Sequence, residues 1–557
     1  MYCSKTFWIE LKIETREIVL LTQDSADVII VGGSLGGCMA SLAIAKMGLN
    51  VIMTEETNWI GGQLTSQAVP PDEHQWIEKF GCTSTYLEFR NRVRNYYKSN
   101  YPLTKSARDN ELINPGNGWV SRLTHEPKVA LQVIEDMLSP YLNSGRIQIR
   151  LNFKPVDASM IKDNITSVIV QHVYNHIKVE LTGKYFLDAT ELGDLLPLVG
   201  AEYVTGAESQ KDTGEPHALE EANPFDTQSI THVFAVDYVE GGNFTIEEPE
   251  QYNFWKKFVP EFSDMPLLSW YTVNTKDTTK LREFTLLPND KGIPSLFTYR
   301  RILDVMNLKE NLYEGDISLI NWAQNDYFLG SIIDVSTEEK EKNLKNAKQL
   351  SLSLLYWLQT EAPRLDGGNG YPGLRLRKDV LGTEDGLAKS PYIRESRRIK
   401  AVYTITEHNV SRELIGNKGI HSYFDSVGVG SYHLDLHHTT ITNRAFYIPC
   451  YPYEIPLGAF LPIRIKNLLP ACKNIGTTQI TNSCYRLHPT EWNIGESSGY
   501  LAAYSILNNI DAHVVRQDQS HLSKYQNLLN KFGIQIHWPE SLDLSGLTEE
   551  VKTHNSP

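Results

Sequence analysis

Residues 27–37 read DVIIVGGSLGG, an apolar run of strand length that leads into a glycine-rich turn. A helical pattern follows over residues 38–46 and ends at Gly48, and a second apolar strand over residues 50–54 leads to Glu55. Strand, glycine turn, helix, strand and terminal acid follow in the order that a dinucleotide-binding βαβ unit requires. The stretch therefore predicts a parallel α/β fold with a nucleotide at the first turn.

Individual positions of this turn have separate physical roles. A helix N-terminus offers unpaired N–H groups and the positive end of its dipole, and both suit a pyrophosphate. Gly32 permits the tight turn, Gly37 lets helix and strand approach closely, and Glu55 can accept hydrogen bonds from ribose hydroxyls. Ser34 stands where the G-x-G-x-x-G pattern has its middle glycine. This fingerprint alone therefore does not exclude another α/β protein with a glycine-rich turn.

A second glycine pair, Gly61-Gly62 followed by Gln63, comes shortly after Glu55. A nicotinamide-binding domain needs no glycine pair at this place. Flavoproteins of the glutathione-reductase type use such a pair to bring the backbone close to the pyrophosphate and ribityl chain of FAD. Together, the two glycine signals favour FAD as the cofactor.

Length and charge limit the possible classes of protein. The chain has 557 residues, enough for two or three domains, with 41% hydrophobic and 22% charged residues. A formal net charge of −14 leaves little basic surface for phosphates, so we expect no nucleic-acid partner. No run approaches the roughly 18 apolar residues of a membrane span, so we expect no membrane partner either. The first 24 residues mix apolar with charged positions and predict a loose extension or an added strand rather than a signal peptide.

The cysteines give no sign of a metal or redox centre. The chain has 6 cysteines and no C-x-x-C pair, which speaks against a zinc site or a catalytic dithiol. We therefore expect no metal. Sparse cysteines without an export signal predict a cytoplasmic protein.

The remaining pattern predicts a discontinuous nucleotide-binding domain. Thr124-His125-Glu126-Pro127 has the features of a helix start with a Thr cap, and this helix runs to about Leu142. Short strand-like segments between residues 166 and 190 predict a β-meander that ends in Asp188-Ala189-Thr190. We expect an α/β fold: a Rossmann-like FAD-binding domain of the glutathione-reductase type, with β-meander, plus an inserted α+β substrate or cap domain. The predicted boundaries are 25–200 and 446–515 for the two parts of the FAD-binding domain, 201–445 for the substrate or cap region with an amphipathic helix over about 338–360, and 516–557 for a C-terminal extension.

Several motifs together resemble the FAD-dependent oxidoreductase family of the glutathione-reductase structural class, in which many members have no assigned substrate. They lie in the family's order between residues 31 and 503, nearly the whole chain. The matching stretches are VGGSLGG, TEETNWIGGQLTSQAVPPDEH, LDATELGDLLPLVGA, YIRESRRI, DSVGVGSYHLDLH, YEIPLGAFLP and NSCYRLHPTEWNIGESSGYLAA.

The resemblance implies FAD as cofactor and a set of contacts to it. The glycine turn would hold the pyrophosphate, the second glycine pair would line the ribityl side, and Val156 would offer its backbone to adenine. A last helix opening at Gly495 would direct its N–H groups at the pyrimidine edge of the flavin, where reduction places negative charge. The implied cofactor-binding residues are Gly32, Gly33, Ser34, Leu35, Gly36, Gly37, Glu55, Glu56, Gly61, Gly62, Gln63, Leu64, Val156, Ala189, Thr190, Gly495, Glu496 and Ser497.

Candidate catalytic residues lie in or beside the same motifs. A guanidinium group can hold an anionic group of a substrate, and a histidine can take the proton that accompanies hydride departure. The alternatives are an ion-pair network in the arginine-rich run and surface or metal-touching roles for histidine. The candidates are His488, His437, Arg394, Arg397 and His74.

Three functions remain open at this stage. The first is a dehydrogenase or oxidase that takes hydride from a polar small molecule at a C–O, C–N or C–C bond. The second is a flavin monooxygenase with external or transiently bound NAD(P)H, because no second dinucleotide fingerprint is present. The third is a non-redox flavoprotein. Substrate, electron acceptor and oligomeric state leave no signal in the sequence.

Overall fold

The computed structural model describes residues 22–274, 277–310, 313–544 and 547. In chain order its strands are β1 (Thr22–Ser25), β2 (Val28–Val31), β3 (Val51–Glu55), β4 (Ile147–Leu151), β5 (Phe153–Ile161), β6 (Asn164–His172), β7 (Lys178–Thr182), β8 (Tyr185–Asp188), β9 (Tyr203–Val204), β10 (Phe234–Tyr238), β11 (Tyr271–Asn274), β12 (Asp277–Glu283), β13 (Arg301–Leu303), β14 (Ile317–Ile320), β15 (Leu374–Leu376), β16 (Arg398–Ile399), β17 (Ser426–Gly430), β18 (Leu434–Leu436), β19 (Phe446–Ile448), β20 (Tyr453–Pro456) and β21 (Leu468–Pro470).

Helices occur throughout the described chain. They are α1 (Leu35–Lys46), α2 (Ser84–Asn100), α3 (Lys105–Asp109), α4 (Pro127–Asn143), α5 (Leu195–Leu198), α6 (Gln210–Thr213), α7 (Tyr252–Trp255), α8 (Leu296–Tyr299), α9 (Thr337–Thr360), α10 (Lys378–Leu381), α11 (Arg412–Ile415), α12 (Gln479–Tyr485), α13 (His488–Asn508), α14 (Ala512–Gln517) and α15 (Gln519–Lys531).

A five-stranded parallel sheet, in the order β21-β8-β2-β3-β4, carries the glycine turn. Val28 and Ile30 of its central strand pack into a core on one face, and Ile29 and Val31 pack into another core on the opposite face. Because both faces are covered, the strand shows a continuous apolar run instead of alternation. Parallel pairing brings the carboxyl ends of β2, β3 and β8 to one edge, where nucleotides bind in such sheets.

A meander is present as β5-β6-β7, paired antiparallel, and its strands β6 and β7 were predicted. The third predicted strand, β8, instead belongs to the parallel sheet between β2 and β21. Strand β1 adds to the edge of the meander, parallel to β7. The expected added strand is therefore confirmed for residues 22–25, and the rest of the N-terminal prediction lies outside the described residues. Helix α4 begins at Pro127 with Glu126 as its N-cap. The predicted Thr cap is wrong, because the hydroxyl group of Thr124 donates to Asn114 Oδ1 at 2.8 Å instead.

Residues between 201 and 445 contain a second, mainly antiparallel sheet, in the order β13-β14-β10-β15. The predicted long helix is present as α9, capped by the hydroxyl group of Ser336. The buried rings of Trp255, Trp270 and Trp322 contribute to a separate hydrophobic core with this helix. This core belongs to the sheet around β10, while the parallel sheet has its own.

The last helices return to the parallel sheet. Helix α13 packs along α1, and α15 is fixed to it by a hydrogen bond from the Tyr525 hydroxyl group to the carbonyl of Ser497, at 2.6 Å. Among the described helices, none is both long and apolar enough to cross a membrane.

Candidate functional site

The glycine turn leaves the N-terminus of α1 with unused donors. Ser34 caps the helix, because its hydroxyl oxygen accepts from the N–H of Gly37 at 3.2 Å. The N–H of Gly36 donates to Glu491 Oε1 at 3.1 Å. Within the described part of the chain, the N–H groups of Ser34 and Leu35 have no hydrogen-bond acceptor. Two adjacent free donors at a helix N-terminus are suited to an anion such as a phosphate.

The acid at the end of β3 is held against this turn. Glu55 Oε2 accepts from the N–H of Gly33 at 3.0 Å, and Oε1 accepts from the N–H and hydroxyl groups of Thr57, both at 2.8 Å. Burial raises the pKa of Glu55 to about 7. Its neighbour Glu56 is exposed. Glu55 is therefore fixed against the glycine turn, while Glu56 lies at the surface.

The second glycine pair lies directly over the helix tip. Gly61 and Gly62 have φ angles of +100° and +46°, which favour glycine. A Cβ on Gly62 would lie 3.1 Å from the Cα of Ser34 and 3.2 Å from the nitrogen of Leu35. Only a residue without a side chain allows the backbone to approach this closely.

Gln63 connects this loop to the start of α13. Its Nε2 donates to the carbonyl of Arg486 at 2.9 Å and also bonds the carboxylate of Glu491. Gln63 and Leu64 are both buried in the short 3₁₀ turn of Gly62–Leu64. The predicted ribityl-side residues thus lie next to the elements that follow β21.

A buried lysine lies beside the glycine loops. Lys473 forms an ion pair with Glu191, whose carboxylate lies over Gly62, and its Nζ is 4.0 Å from Glu491 Oε2. Burial alone would lower the pKa of Lys473, but Cys472 and the two carboxylates raise it. The ammonium therefore stays charged and offsets part of the negative charge of the two carboxylates.

The residues predicted near the AMP half lie at the same sheet edge. A Cβ on Gly37 would lie 2.9 Å from the Cβ of Ala189, so Ala189 packs on the turn. The Thr190 hydroxyl donates to Asp188 Oδ1 at 2.7 Å. Val156 is half-buried in β5, where the register shifts at a bulge.

Gly495, Glu496 and Ser497 do not open a helix. Helix α13 begins at His488, so the N–H groups of these three residues lie inside it and face no cofactor edge. The Ser497 hydroxyl donates to the carbonyl of Val427 at 2.8 Å. The prediction placed the start too late because small residues mark a packing contact of this helix. In the first turn of α13, Pro489 has no N–H and the N–H of Glu491 donates to the carbonyl of Leu487 at 2.8 Å.

The predicted residue His488 lies in a buried group with three residues that were not among the candidates. We call this group the arginine cluster: Asp72, Arg300, Arg486 and His488. His488 and Arg486 are 0% and 2% exposed, and Arg300 is 7% exposed. The N–H of Asp72 donates to His488 Nδ1 at 3.1 Å. The nearest Asp72 oxygen to the Arg300 guanidinium is 3.8 Å away. The cluster adjoins the cofactor loops through the Gln63–Arg486 hydrogen bond.

Several nitrogens of the arginine cluster are buried without a hydrogen-bond partner. They are Nε and Nη1 of Arg300, Nε of Arg486 and Nε2 of His488. Because the backbone N–H of Asp72 donates to Nδ1, the neutral His488 ring carries its proton on Nε2. Burial, with help from Arg300 and Arg486, lowers the pKa of His488 well below its usual value. His488 is therefore a hydrogen-bond donor in this structure and has no free site for a further proton.

His437 and Arg394 lie beside the arginine cluster in a hydrogen-bonded chain. Arg394 Nη2 donates to Asp326 Oδ1 at 2.8 Å, and Asp326 Oδ2 is 2.8 Å from His437 Nδ1. His437 Nε2 lies 3.4 Å from Asp435, whose carboxylate is 3.7 Å from Arg486. Asp326, Asp435 and His437 also line a cavity of about 100 Å³.

His74 and Arg397 are held in other contacts. His74 Nδ1 accepts from the N–H of Trp76 at 3.2 Å, and Nε2 faces the carbonyl of Gly81 at 3.0 Å. Both ring nitrogens are therefore used in a turn. The guanidinium of Arg397 binds Asp194 and Asp334 at 2.9 and 2.8 Å. This is the ion-pair alternative of the sequence analysis, and neither residue is part of the arginine cluster.

Asp72 and Arg300 were missed by the sequence analysis. Asp72 follows two prolines in the motif after the second glycine pair, and its place in this motif was the available signal. Arg300 stands next to Arg301 at the end of α8, and nothing in the local pattern separates the buried arginine from its neighbour.

Comparisons with known proteins identify the class. A family model described as FAD dependent oxidoreductase matches residues 27–529. The chain belongs to this family: it is an oxidoreductase that binds FAD. A search of curated proteins gave no match.

Solved structures show more distant similarity. Quinol fumarate reductase from E. coli is 10% identical, with a TM-score of 0.33, over 92% of this chain and 74% of that one. A geranylgeranyl bacteriochlorophyll reductase-like protein from Thermoplasma acidophilum is 10% identical, with a TM-score of 0.29, over 92% and 85%. L-Proline dehydrogenase from P. horikoshii is 16% identical, with a TM-score of 0.17, over 35% and 26%, so the chain spans about a quarter of that protein. None of these similarities specifies an activity.

The residues present fit FAD. Ser34 and Leu35 offer two free N–H groups, and the backbone of Gly62 lies close to them because this residue lacks a Cβ. Lys473 provides a buried positive charge at the same place. The donor set thus matches a pyrophosphate, and Glu55 matches the neighbouring ribose.

Proposed function

We propose that the protein is a dehydrogenase or oxidase that takes two electrons, as hydride, from a polar small molecule at a C–O, C–N or C–C bond. Bound FAD would supply the electron acceptor. The observation that carries this proposal is the arginine cluster, in which polar groups without partners adjoin the cofactor loops through Gln63. A buried group of this kind is costly to the fold unless a ligand uses it.

In this proposal Asp72 takes the proton. Its carboxylate is 7% exposed, its nearest cation is the Arg300 guanidinium at 3.8 Å, and burial raises its pKa. A raised pKa suits a general base. His488 would orient the substrate by donating from Nε2. The substrate C–H bond breaks with its electron pair leaving as hydride, an O–H, N–H or second C–H proton passes to Asp72, and a double bond forms between the two substrate atoms.

We further propose the glutathione-reductase type of organisation. Residues 25–200 and 446–515 would form the FAD-binding domain, residues 201–445 the substrate or cap region, and residues 516–557 a C-terminal extension. The β5-β6-β7 meander and the separate core around β10 support this division. Arg300 and Asp435 belong to this substrate or cap region, and their side chains would lie near the cofactor.

A small-molecule substrate is the partner we propose, in a cytoplasmic protein. The net charge of −14 supports the absence of a nucleic-acid partner, and we propose no membrane partner. No metal has a role in the proposal, because the Lys473 ammonium forms an ion pair with Glu191 and lies 4.0 Å from Glu491 Oε2.

Anaerobic reduction of the bound flavin tests this function. Purified protein loaded with FAD is mixed, without oxygen, with polar metabolites, and the absorbance of the oxidised flavin is followed. We expect a substrate alone to bleach the flavin. Bleaching that requires NAD(P)H would instead support a monooxygenase. If neither substrates nor NAD(P)H reduce the flavin, the redox proposal is wrong.

A further inference from the structure

The unused donors of Arg300 point to the chemistry of a ligand. A guanidinium has five N–H donors and remains charged in proteins. In Arg300, Nε and Nη1 are buried without an acceptor, and its nearest carboxylate oxygen, from Asp72, is 3.8 Å away. This distance is too long for a hydrogen bond. Arg300 therefore keeps donors for an acceptor that the described chain does not provide.

Arg486 is in a similar state, and Arg394 is the useful contrast. Arg486 lies 3.7 Å from Asp435, and its Nε has no partner. Arg394 forms a normal hydrogen bond of 2.8 Å with Asp326. Arg394 Nε is also buried without a partner, so the contrast lies in the carboxylate. Among the described residues, Arg394 has a carboxylate oxygen at hydrogen-bond distance, whereas the nearest ones to Arg300 and Arg486 are 3.8 and 3.7 Å away.

The donors of the arginine cluster belong to one continuous group. Asp72 joins Arg300 to His488, because its carboxylate faces the guanidinium and its N–H bonds the imidazole. Arg486 precedes His488 by two residues and donates from Nη1 to the Tyr392 hydroxyl at 2.9 Å. Asp435, whose carboxylate is 3.7 Å from the Arg486 guanidinium, lines the cavity of about 100 Å³, so the arginine cluster adjoins that space.

We propose that Arg300, Arg486 and His488 bind a carboxylate of the substrate, so that the proposed oxidation acts on an organic acid. This inference rests on the proposed function and specifies its substrate class. Planar guanidinium groups match a carboxylate with two parallel hydrogen bonds, and the Nε2–H of His488 adds a directed donor. Asp72, beside Arg300, is then close to the carbon that is oxidised.

Charge balance favours a carboxylate over a phosphate. Three arginines, Arg300, Arg394 and Arg486, face three acids, Asp72, Asp326 and Asp435. This group is formally neutral before a ligand binds. A phosphate would add about two negative charges next to these acids, whereas a carboxylate adds one.

Binding of simple anions to the FAD-loaded protein tests the inference without turnover. Malonate, glutarate and benzoate are titrated against their neutral amides and against inorganic phosphate, with the absorbance difference of bound FAD and the melting temperature as readouts. We expect at least one carboxylate to bind and its amide to bind at least tenfold more weakly.

Variants locate that binding. R300M and R486M are expected to weaken carboxylate binding at least tenfold. R300K keeps the charge but loses the planar fork, so we expect an intermediate effect, and it replaces R300M if that variant fails to load FAD. The matched control is R92M, because Arg92 is 44% exposed and pairs with Glu88 on α2; its binding should not change.

Three outcomes would overturn the inference: no carboxylate binds, phosphate or the amides bind as tightly, or R300M and R300K both bind carboxylates like the wild type. Failure of the proposed function is a different result. In that case carboxylates bind through Arg300, but no organic acid reduces the flavin.

Discussion

Gly36 and Gly495 are in direct backbone contact, which brings the first and last long helices of the nucleotide-binding sheet together. A Cβ on Gly495 would lie 2.5 Å from the Cα of Gly36 and 2.6 Å from its carbonyl carbon. Helix α13 therefore packs directly against the backbone of the glycine turn. The absence of a side chain at Gly495 allows this close packing.

This contact predicts that Gly495→Ala destabilises the protein and lowers its FAD content. Overpacking of a tight backbone contact costs about 1–3 kcal/mol, and the helices must separate at the pyrophosphate loop. Gly145→Ala is the control, because Gly145 has φ +74° but no neighbour within 4 Å. It should cost about 1 kcal/mol without loss of FAD. Chemical unfolding and flavin absorbance check both; equal FAD loss in the two variants would contradict the packing role.

Lys473→Met should destabilise the fold strongly. The substitution leaves the carboxylates of Glu191 and Glu491 near each other without compensation, and breaking a buried ion pair from one side costs about 3–5 kcal/mol. Adding Glu191→Gln should recover part of the loss. Unfolding curves measure this, with Lys466→Met as control because Lys466 is 52% exposed. Equal stability of single and double variants would show that the pair is not the cause.

Asp72→Asn should slow flavin reduction without preventing FAD binding. Loss of a general base lowers a rate by about 10²–10⁴-fold, because the substrate proton then has no acceptor. His74→Gln should stay within a few-fold of the wild type, since both His74 nitrogens serve a turn. Stopped-flow reduction under anaerobic conditions compares the variants. A larger effect in the His74 variant than in the Asp72 variant would contradict the role of Asp72 as proton acceptor.

Glu496 predicts a specific dependence of stability on pH. It is 1% exposed, and burial raises its pKa from 4.5 to about 7. Because the pKa of Glu496 is higher in the native than in the unfolded state, protonation of its carboxyl group favours the native state. This stabilisation is complete below about pH 4.5 and is lost as the pH rises through 7. Glu496→Gln should therefore be the more stable protein at pH 8, by on the order of 3 kcal/mol.

The same variant should show a smaller fall in stability between pH 5 and pH 8 than the wild type. Part of the fall in stability remains in the variant, because other buried acids with a raised pKa, such as Glu55, are unchanged. Exposed Glu341→Gln on α9 serves as control and should leave the pH profile unchanged. Parallel profiles for wild type and Glu496→Gln would contradict the shifted pKa.

The sequence by itself determined the nucleotide-binding unit and its cofactor class. Residues 27–37 combine a buried strand, a turn that needs glycine and a helix, and these are local requirements that any fold of this chain must meet. Strands β6 and β7 of the meander and helix α9 were likewise predicted, because periodicity is a local property. The start of α13 was predicted wrongly: the helix begins at His488, and the prediction placed its first residue at Gly495.

Only the tertiary structure decided which side chains form the candidate substrate site. Asp72, Arg300 and Arg486 are far apart in the chain, and no local pattern marks them as neighbours. Whether an arginine is held by carboxylates, like Arg397, or is buried with unused donors, like Arg300, depends on partners brought by distant elements. Hydrogen-bond satisfaction in a buried site is a property of three-dimensional packing, so it has no counterpart in the order of residues.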